Sequence, residues 1–235
     1  MKIKTVLFDL DGTLLPMEQE NFMKAYFGGL SARLAPYDYE PRALIDAIWK
    51  GTAAMVKNDG SILNEAAFWN CFTAIFGERA REDMPHFDAF YREDFDKVAP
   101  SCGYTPEAKK TVDGLRARGF RVALATNPLF PAIATEKRAT WAGLSPDDFE
   151  LITTYENTGY CKPNLDYYRD ILARLGVCAE ECLMVGNDVD EDMVASELGM
   201  KVFLLTDCLL NKSQKSIEDY PRGGFAELQA FLETL

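Results

Sequence analysis

Two aspartates stand two residues apart directly after a short apolar segment near the start of the chain. Alternate residues of a strand point to the same side, so Asp9 and Asp11 begin on one side before the chain turns at Gly12. Two such carboxylates can bind a divalent cation, or serve as a nucleophile and an acid–base pair. A calcium-binding loop is the alternative interpretation, but it would need a glycine where Leu14 stands.

Three further segments place polar side chains at predicted strand ends or helix starts. Thr126 and Asn127 follow an apolar strand, and Pro128 predicts the start of a helix whose N–H groups could hold a phosphoryl oxygen. Lys162 precedes another predicted helix, and the acidic loop Gly186–Asp192 follows a further strand. Taken singly, these are a helix cap, a solvated turn and surface charge. Their joint occurrence with Asp9 and Asp11 favours a single site.

Strand-like and helical patterns alternate along most of the chain, which is typical of a parallel sheet with helices on both faces. We therefore predict an α/β fold with a Rossmann-like three-layer core. Ligands bind at the carboxyl ends of such strands, where Asp9, Thr126 and Asp188 fall. The predicted strands are Thr5–Phe8, Arg121–Ala125, Leu151–Thr154, Cys182–Val185 and Val202–Leu205. The predicted helices of the core are Pro106–Arg118, Pro128–Ala142, Asp166–Leu175 and Met193–Leu198.

A long segment after the first strand contains helical patterns and no convincing strand. We predict that residues 17–100 form an α-helical cap domain inserted over the catalytic end of a core made of residues 1–16 and 101–235. Its aromatic residues recur at helical spacing and are expected to form mainly the core of the cap. The polar residues expected to contact a substrate are Glu18, Gln19, Asn21 and Asn58.

Composition excludes several classes of protein. The net charge of −12 over 235 residues argues against nucleic acid or an anionic membrane as the main partner. Apolar runs are too short for a membrane helix or a signal peptide, and we expect a cytoplasmic protein. The six cysteines form no CxxC pair, and His86 is the only histidine. A zinc site and a Ser-His-Asp triad are therefore both disfavoured.

The four segments together resemble the motifs of the haloacid dehalogenase-like hydrolase superfamily, in its phosphatase form with a helical cap between the first and second motifs. This resemblance implies that Asp9 is the nucleophile and becomes an aspartyl-phosphate, while Asp11 acts as general acid and base. It also implies that Asp9 and the backbone carbonyl of Asp11 bind Mg²⁺ together with the fourth motif. The expected phosphate-binding residues are Gly12, Thr13, Thr126, Asn127 and Lys162.

Elementary chemistry agrees with a metal at these residues. A phosphate ester approaches several carboxylates only when a divalent cation and a lysine neutralise them. Oxygen ligands favour Mg²⁺ over zinc. The ligand in the acidic loop stays open, because many relatives have Gly-Asp where this chain has Gly186-Asn187. Either Asn187 takes the aspartate position with Asp192 behind it, or Asp188 is the ligand, which its charge favours. Asp190 and Glu191 are expected to be solvated.

Asp11 discriminates among the reactions of the superfamily. Members that cleave carbon–halogen or carbon–phosphorus bonds lack an aspartate at that position. We therefore predict a Mg²⁺-dependent phosphohydrolase that cleaves a small phosphorylated metabolite. The alternatives are a phosphomutase of the sugar-phosphate type and a non-catalytic protein that binds a phosphorylated metabolite. The sequence leaves the oligomeric state open.

Overall fold

A six-stranded parallel sheet forms the centre of the computed structural model, which describes residues 2–235. The strand order is β3-β2-β1-β4-β5-β6, so the first strand lies in the middle and pairs with β2 on one side and β4 on the other. This arrangement confirms the predicted α/β fold. The strands are β1 (Thr5–Phe8), β2 (Arg121–Leu124), β3 (Leu151–Ile152), β4 (Cys182–Gly186), β5 (Lys201–Leu205) and β6 (Arg222–Gly223).

Helices fill both faces of this sheet and the long segment between β1 and β2. A π-helical turn at Phe90–Asp94 and a 3₁₀ segment at Phe95–Ser101 link that segment to the rest of the chain. The α-helices are α1 (Gln19–Leu34), α2 (Pro41–Val56), α3 (Asn64–Phe76), α4 (Arg79–Glu82), α5 (Met84–Ala89), α6 (Pro106–Ala117), α7 (Ala132–Trp141), α8 (Leu165–Leu175) and α9 (Phe225–Glu233).

Alternation along the buried strands divides the core into two layers. Val6 and Phe8 of β1 pack with α6, α7 and α9 on one face, whereas Leu7 packs with α8 on the other. Val6, Leu7 and Phe8 are all buried, which explains why these residues form an apolar run. Asp9 follows this run at the carboxyl edge of the sheet.

The segment between β1 and α6 has a separate hydrophobic cluster, built largely from aromatic rings. Phe22, Tyr26, Trp69 and Phe72 are buried in it, and Ala134 of α7 joins it from the core. Trp49 lies at the edge of this cluster, and about half of its surface is exposed (49%). The cluster agrees with the predicted cap residues, while the division of the chain into domains stays a prediction.

Several boundaries differ from the predicted ones. The third strand ends at Ile152 instead of Thr154, and Met193–Leu198 forms a 3₁₀-helix. Strand β6 and helix α9 were not predicted. No helix within residues 2–235 is both long and apolar enough to cross a membrane. All six cysteines are free.

Candidate active site

The turn after β1 fixes the position of Asp9. Its N–H donates to the carbonyl of Val185 at 2.9 Å, which continues the pairing with β4 beyond the strand. The chain then closes a tight turn in which the N–H of Gly12 donates to Leu15 at 2.8 Å. Gly12 has φ of +86°, and a Cβ there would lie 2.3 Å from Nδ2 of Asn187. A glycine is therefore required for both its conformation and the close approach of the acidic loop.

Lys162 is the central cation of the site. Its Nζ donates to Oδ1 of Asp9 at 2.8 Å and to Oδ1 of Asp192 at 2.7 Å, and its side chain is fully buried. Burial alone lowers the pKa of Lys162, but the carboxylates of Asp192 and Asp9 outweigh it and raise that pKa well above its usual range. The ammonium thus fixes the orientation of Asp9 and neutralises charge behind it.

Thr13 completes the support of Asp9. Its hydroxyl lies 3.2 Å from Oδ2 of Asp9 and 3.0 Å from Oδ1 of Asn187, and its single proton can serve one acceptor at a time. Thr13 is buried, and neither it nor Gly12 lines the cavity above Asp9. The structure therefore places these two predicted phosphate-binding residues behind the carboxylates, where they position Asp9 and Asn187.

Arg138 on α7 was not predicted as a site residue, yet it pairs directly with Asp11. Its guanidinium donates to Oδ2 of Asp11, is wholly buried, and lies 4.3 Å from the ring centroid of Phe130. Burial raises the pKa of Asp11, and the charge of Arg138 opposes that effect. Oδ1 of Asp11 is also buried and has no hydrogen-bond partner within residues 2–235. The sequence did offer one indication of this role, because Arg138 falls on the apolar face of a predicted helix, where a charged residue needs a buried partner.

Helix α7 does not begin directly after Thr126 and Asn127, where the sequence predicted its start. The helix begins at Ala132 instead of Pro128, because a second proline, Pro131, precedes it and favours extended backbone before itself. The N–H of Ala132 donates to the carboxylate of Glu156 at 2.8 Å. The first N–H group of this helix therefore binds the carboxylate of Glu156. It does not bind a phosphoryl oxygen, as the sequence had led us to expect.

Thr126 and Asn127 nevertheless lie on the wall of the cavity. The hydroxyls of Thr153 and Tyr167 donate to the carbonyl of Thr126 at 2.7 and 2.8 Å, which fixes the backbone there. Oδ1 of Asn127 accepts from the N–H of Lys162 at 3.3 Å, and its Nδ2 donates to Glu191 at 3.0 Å. Asn127 thus connects the second, third and fourth sequence segments.

Two neighbouring residues of the acidic loop, Asn187 and Asp188, differ in how many of their polar atoms already have partners. Both polar groups of Asn187 face protein partners, since Oδ1 lies 3.0 Å from the Thr13 hydroxyl, which it shares with Asp9, and Nδ2 donates to the carbonyl of Cys208 at 2.6 Å. Oδ1 of Asp188 accepts from the N–H groups of Asp190 and Glu191 at 2.8 and 3.0 Å. Within the described chain no hydrogen bond reaches Oδ2 of Asp188, so this oxygen stays free for a ligand.

Glu191 was expected to be solvated, and this prediction is wrong. It lines the cavity, and burial raises its pKa to about 7. Asp190 faces the other way and pairs with Lys215 at 2.8 Å and with Ser213. Burial also raises the pKa of Asp192, and the ammonium of Lys162 opposes that shift.

A cavity of about 300 Å³ opens above these carboxylates, between the helical segment 17–100 and the carboxyl edge of the sheet. Lys162 supports its floor from behind. Among the polar residues expected in the cap, Gln19 lines it, whereas Glu18, Asn21 and Asn58 do not. The predicted site residues that line it are Asp9, Asp11, Thr126, Asn127, Asn187, Asp188 and Asp192.

The oxygen atoms at this edge suit a hard divalent cation. Between residues 2 and 235 no three His, Cys, Asp or Glu side chains converge at metal-binding distances. Mg²⁺ does not need three, because it usually keeps several waters and takes one or two carboxylates. Asp9, the backbone carbonyl of Asp11 and the free oxygen of Asp188 supply a set of that kind. The residues therefore fit a magnesium ion.

Comparison with known proteins identifies the family. The family model described as haloacid dehalogenase-like hydrolase matches residues 3–198, which include all four motif segments. The chain belongs to the haloacid dehalogenase-like hydrolase family. This result confirms the resemblance inferred from the motifs, and the protein is accordingly an enzyme of the hydrolase class.

Relatives of this hydrolase include two enzymes that are named as phosphatases. A glyceraldehyde 3-phosphate phosphatase from Methanocaldococcus jannaschii is 27% identical, over 92% of this chain and 89% of its own length. A ribulose-1,5-bisphosphate 5-phosphatase from Halopiger xanaduensis is 26% identical, over 85% of this chain and 83% of its own.

Solved structures match the fold over nearly the whole chain. A haloacid dehalogenase-like phosphatase from Thermococcus onnurineus superposes with a TM-score of 0.61 at 22% identity, covering 99% of this chain and 98% of its own. A 2-haloacid dehalogenase from Pseudomonas syringae gives a TM-score of 0.65 at 20% identity, covering 99% of each chain. The shared fold therefore extends across enzymes of different chemistry and does not by itself define the reaction.

Proposed function

We propose that this hydrolase cleaves phosphate monoesters of small metabolites, with Asp9 as nucleophile and Asp11 as general acid and base. The observation that carries the proposal is the pairing of Asp9, on the floor of the cavity, with Lys162 behind it, and the position of Asp11 beside Asp9 on the same floor. A nucleophile needs such a fixed orientation, and an acid needs the neighbouring position. The phosphatase names of these two relatives support the same reaction.

In the proposed first step, a carboxylate oxygen of Asp9 attacks phosphorus and the bond to the leaving oxygen breaks. The leaving oxygen takes a proton from Asp11. Burial favours the protonated form of Asp11, as the raised pKa of its carboxyl indicates. Arg138 acts as a positioning residue, since it holds Oδ2 of Asp11 and leaves Oδ1 without a partner.

In the second step, water attacks phosphorus and gives a proton to the Asp11 carboxylate. The bond between phosphorus and Asp9 then breaks, which releases inorganic phosphate and restores both aspartates. Lys162 stays paired with Asp9 and Asp192 throughout and limits the accumulation of negative charge. We propose that the side chains of Thr126 and Asn127 contact phosphoryl oxygens, because both residues line the cavity.

A magnesium ion, when bound, would neutralise the carboxylates and stabilise charge on the phosphoryl group. We propose that Asp9, the Asp11 carbonyl and Asp188 hold it. Asp188 is preferred over Asn187, because both polar groups of Asn187 already face Thr13 and Cys208. Asp192 then serves Lys162 and the N–H of Asp188, at 3.0 Å, and does not contact the metal.

The proposal is tested by phosphate release from a panel of phosphorylated metabolites with and without Mg²⁺. Asp9→Asn is the test variant, and Asp113→Asn on the exposed face of α6 is the matched control for loss of a carboxylate. We expect release that requires Mg²⁺, is abolished in Asp9→Asn and is retained in Asp113→Asn. Release that persists at saturating Mg²⁺ in Asp9→Asn would contradict the assignment of the nucleophile.

A further inference from the structure

The walls of the cavity above Asp9 are mainly aromatic. Rings from α1, α2 and α3 meet a ring from the loop before α7, and together they enclose the space that a leaving group would occupy. Three of these rings are buried, two are partly buried, and Trp49 stands half-exposed at the edge. The rings are Phe22, Tyr26, Trp49, Phe68, Trp69 and Phe130. Such walls favour flat apolar groups over hydrated ones.

The charged residues around the cavity also favour an uncharged leaving group. Among the described residues that line it, Lys212 is the one cation, and its side chain is exposed. Glu191 and Asp88 add carboxylates beyond those of the proposed reaction centre. A second phosphate or a carboxylate on the substrate would therefore meet apolar rings or like charge, and its desolvation would go uncompensated.

One buried polar group on the wall makes no well-formed hydrogen bond. Trp69 is buried, with 5% of its surface exposed, and its Nε1–H forms no hydrogen bond of good geometry within residues 2–235, with the hydroxyl of Tyr155 as the nearby acceptor. The hydroxyls of Tyr26 and Tyr91, by contrast, bond to each other at 2.8 Å. An unpaired buried donor is unfavourable unless a ligand supplies an acceptor. The indole therefore suits a leaving group that carries one neutral oxygen or nitrogen acceptor.

We propose that the preferred substrate is the phosphate monoester of an uncharged aromatic alcohol with a single phosphoryl group. The inference rests on the proposed function, because it takes the phosphoryl group to lie at Asp9. The ring of the leaving group packs among Phe22, Phe68 and Trp69, and a neutral acceptor on it meets Nε1 of Trp69. Substrates with a second anionic group are excluded by the absence of a buried cation among the described lining residues.

The test measures binding in the Asp9→Asn protein, which separates recognition from turnover. Phenethyl phosphate, ethyl phosphate and phosphoglycolate are titrated by calorimetry with Mg²⁺ present. Burying a phenyl ring of about 100 Å² corresponds to a Kd that is roughly 50-fold lower for phenethyl phosphate than for ethyl phosphate. Phosphoglycolate should bind no better than ethyl phosphate. Equal affinity of the first two, tighter binding of phosphoglycolate, or no binding of phenethyl phosphate would each overturn the inference.

Two further variants locate the preference within the cavity. Trp49→Ala in the Asp9→Asn background should reduce the ratio of the two Kd values by about 3-fold or more, since its half-exposed ring is removed without disturbing the buried cluster. Tyr104→Ala removes an exposed ring outside the cavity and should leave the ratio unchanged. An unchanged ratio in Trp49→Ala together with equal affinities would show that the aromatic walls select nothing.

Turnover by the unmodified enzyme distinguishes the two proposals. Aromatic preference in binding without phosphate release from any ester would refute the phosphatase function and leave only the preference of the cavity for an aromatic ligand standing. Release with equal kcat/KM for phenethyl and ethyl phosphate, two alkyl esters with leaving groups of similar chemistry, would refute the inference and leave the phosphatase function standing.

Discussion

Arg138→Met is the substitution that most directly tests how the structure holds Asp11. Methionine keeps much of the apolar stem but removes the guanidinium that pairs with Oδ2 of Asp11 and lies over the ring of Phe130. Arg138 is completely buried, whereas about a quarter of the Asp11 side chain (26%) faces the cavity. The variant therefore leaves one carboxylate without its cation at a site that solvent reaches only in part.

Removal of one member of a buried ion pair costs about 3–5 kcal/mol of the free energy of unfolding. The partial exposure of Asp11, together with its ability to take up a proton, places the expected loss near the lower limit, at about 3 kcal/mol. For a domain of this size that loss corresponds to a decrease in Tm of roughly 6–12 °C. The value of kcat should fall by on the order of 10- to 100-fold, because Asp11 is no longer held in place.

Urea unfolding and steady-state kinetics with one monoester measure both effects. Arg138→Lys is the matched control, since it keeps the charge and should recover part of kcat and of the stability. Arg92→Met, at an exposed arginine, controls for the chemistry of the substitution. A loss of stability below about 1 kcal/mol, with unchanged kcat, would refute the reasoning that Arg138 positions Asp11.

Three further outcomes are expected. Gly12→Ala should destabilise the protein by about 2 kcal/mol or more in urea unfolding, since its Cβ collides with Asn187, whereas Gly28→Ala, with open space around it, should not. Lys162→Met should lower the free energy of unfolding by about 3–5 kcal/mol at neutral pH, and an unchanged value would contradict the buried pairing with Asp9 and Asp192. Burial raises the pKa of Cys161 from the ordinary 9.0 to about 12, so iodoacetamide near pH 8 should modify the exposed Cys178 and spare Cys161. Between about pH 9 and 12 the thiol of Cys161 ionises in the unfolded chain but not in the folded protein, so the free energy of unfolding should fall as the pH rises. This fall should be less steep in Cys161→Ala, and equal slopes in the two proteins would contradict the raised pKa.

The parts of the fold that local pattern determines were predictable. The continuous apolar run of β1 belongs to a central strand with both faces buried, and the following Asp-x-Asp-Gly turn could be identified without tertiary information. The same holds for Lys162 and the acidic loop, because parallel strands bring their carboxyl ends to one edge. These residues do meet around the cavity, although their catalytic roles stay proposals.

Features that depend on partners distant in sequence were not predictable. The start of α7 depends on Pro131 and on Glu156, which reaches its first N–H from a later loop. Glu191 looks like a surface residue in an acidic run, and only the packed structure turns it toward Asn127. Arg138 is similar, since its partner Asp11 lies 127 positions away. Strand β6 is two residues long, too short to produce a period-2 pattern.

The most direct test of the central claim is chemical trapping of a phosphorylated Asp9. Asp11→Asn enzyme is mixed with a cleavable monoester and Mg²⁺, quenched, and reduced with borohydride, which converts an aspartyl-phosphate into homoserine. Peptide mass spectrometry then locates the modified residue. We expect homoserine at position 9 that requires substrate and is absent from Asp9→Asn. Steady phosphate release with unmodified Asp9 throughout would contradict the account, because the reaction would then proceed without an aspartyl intermediate.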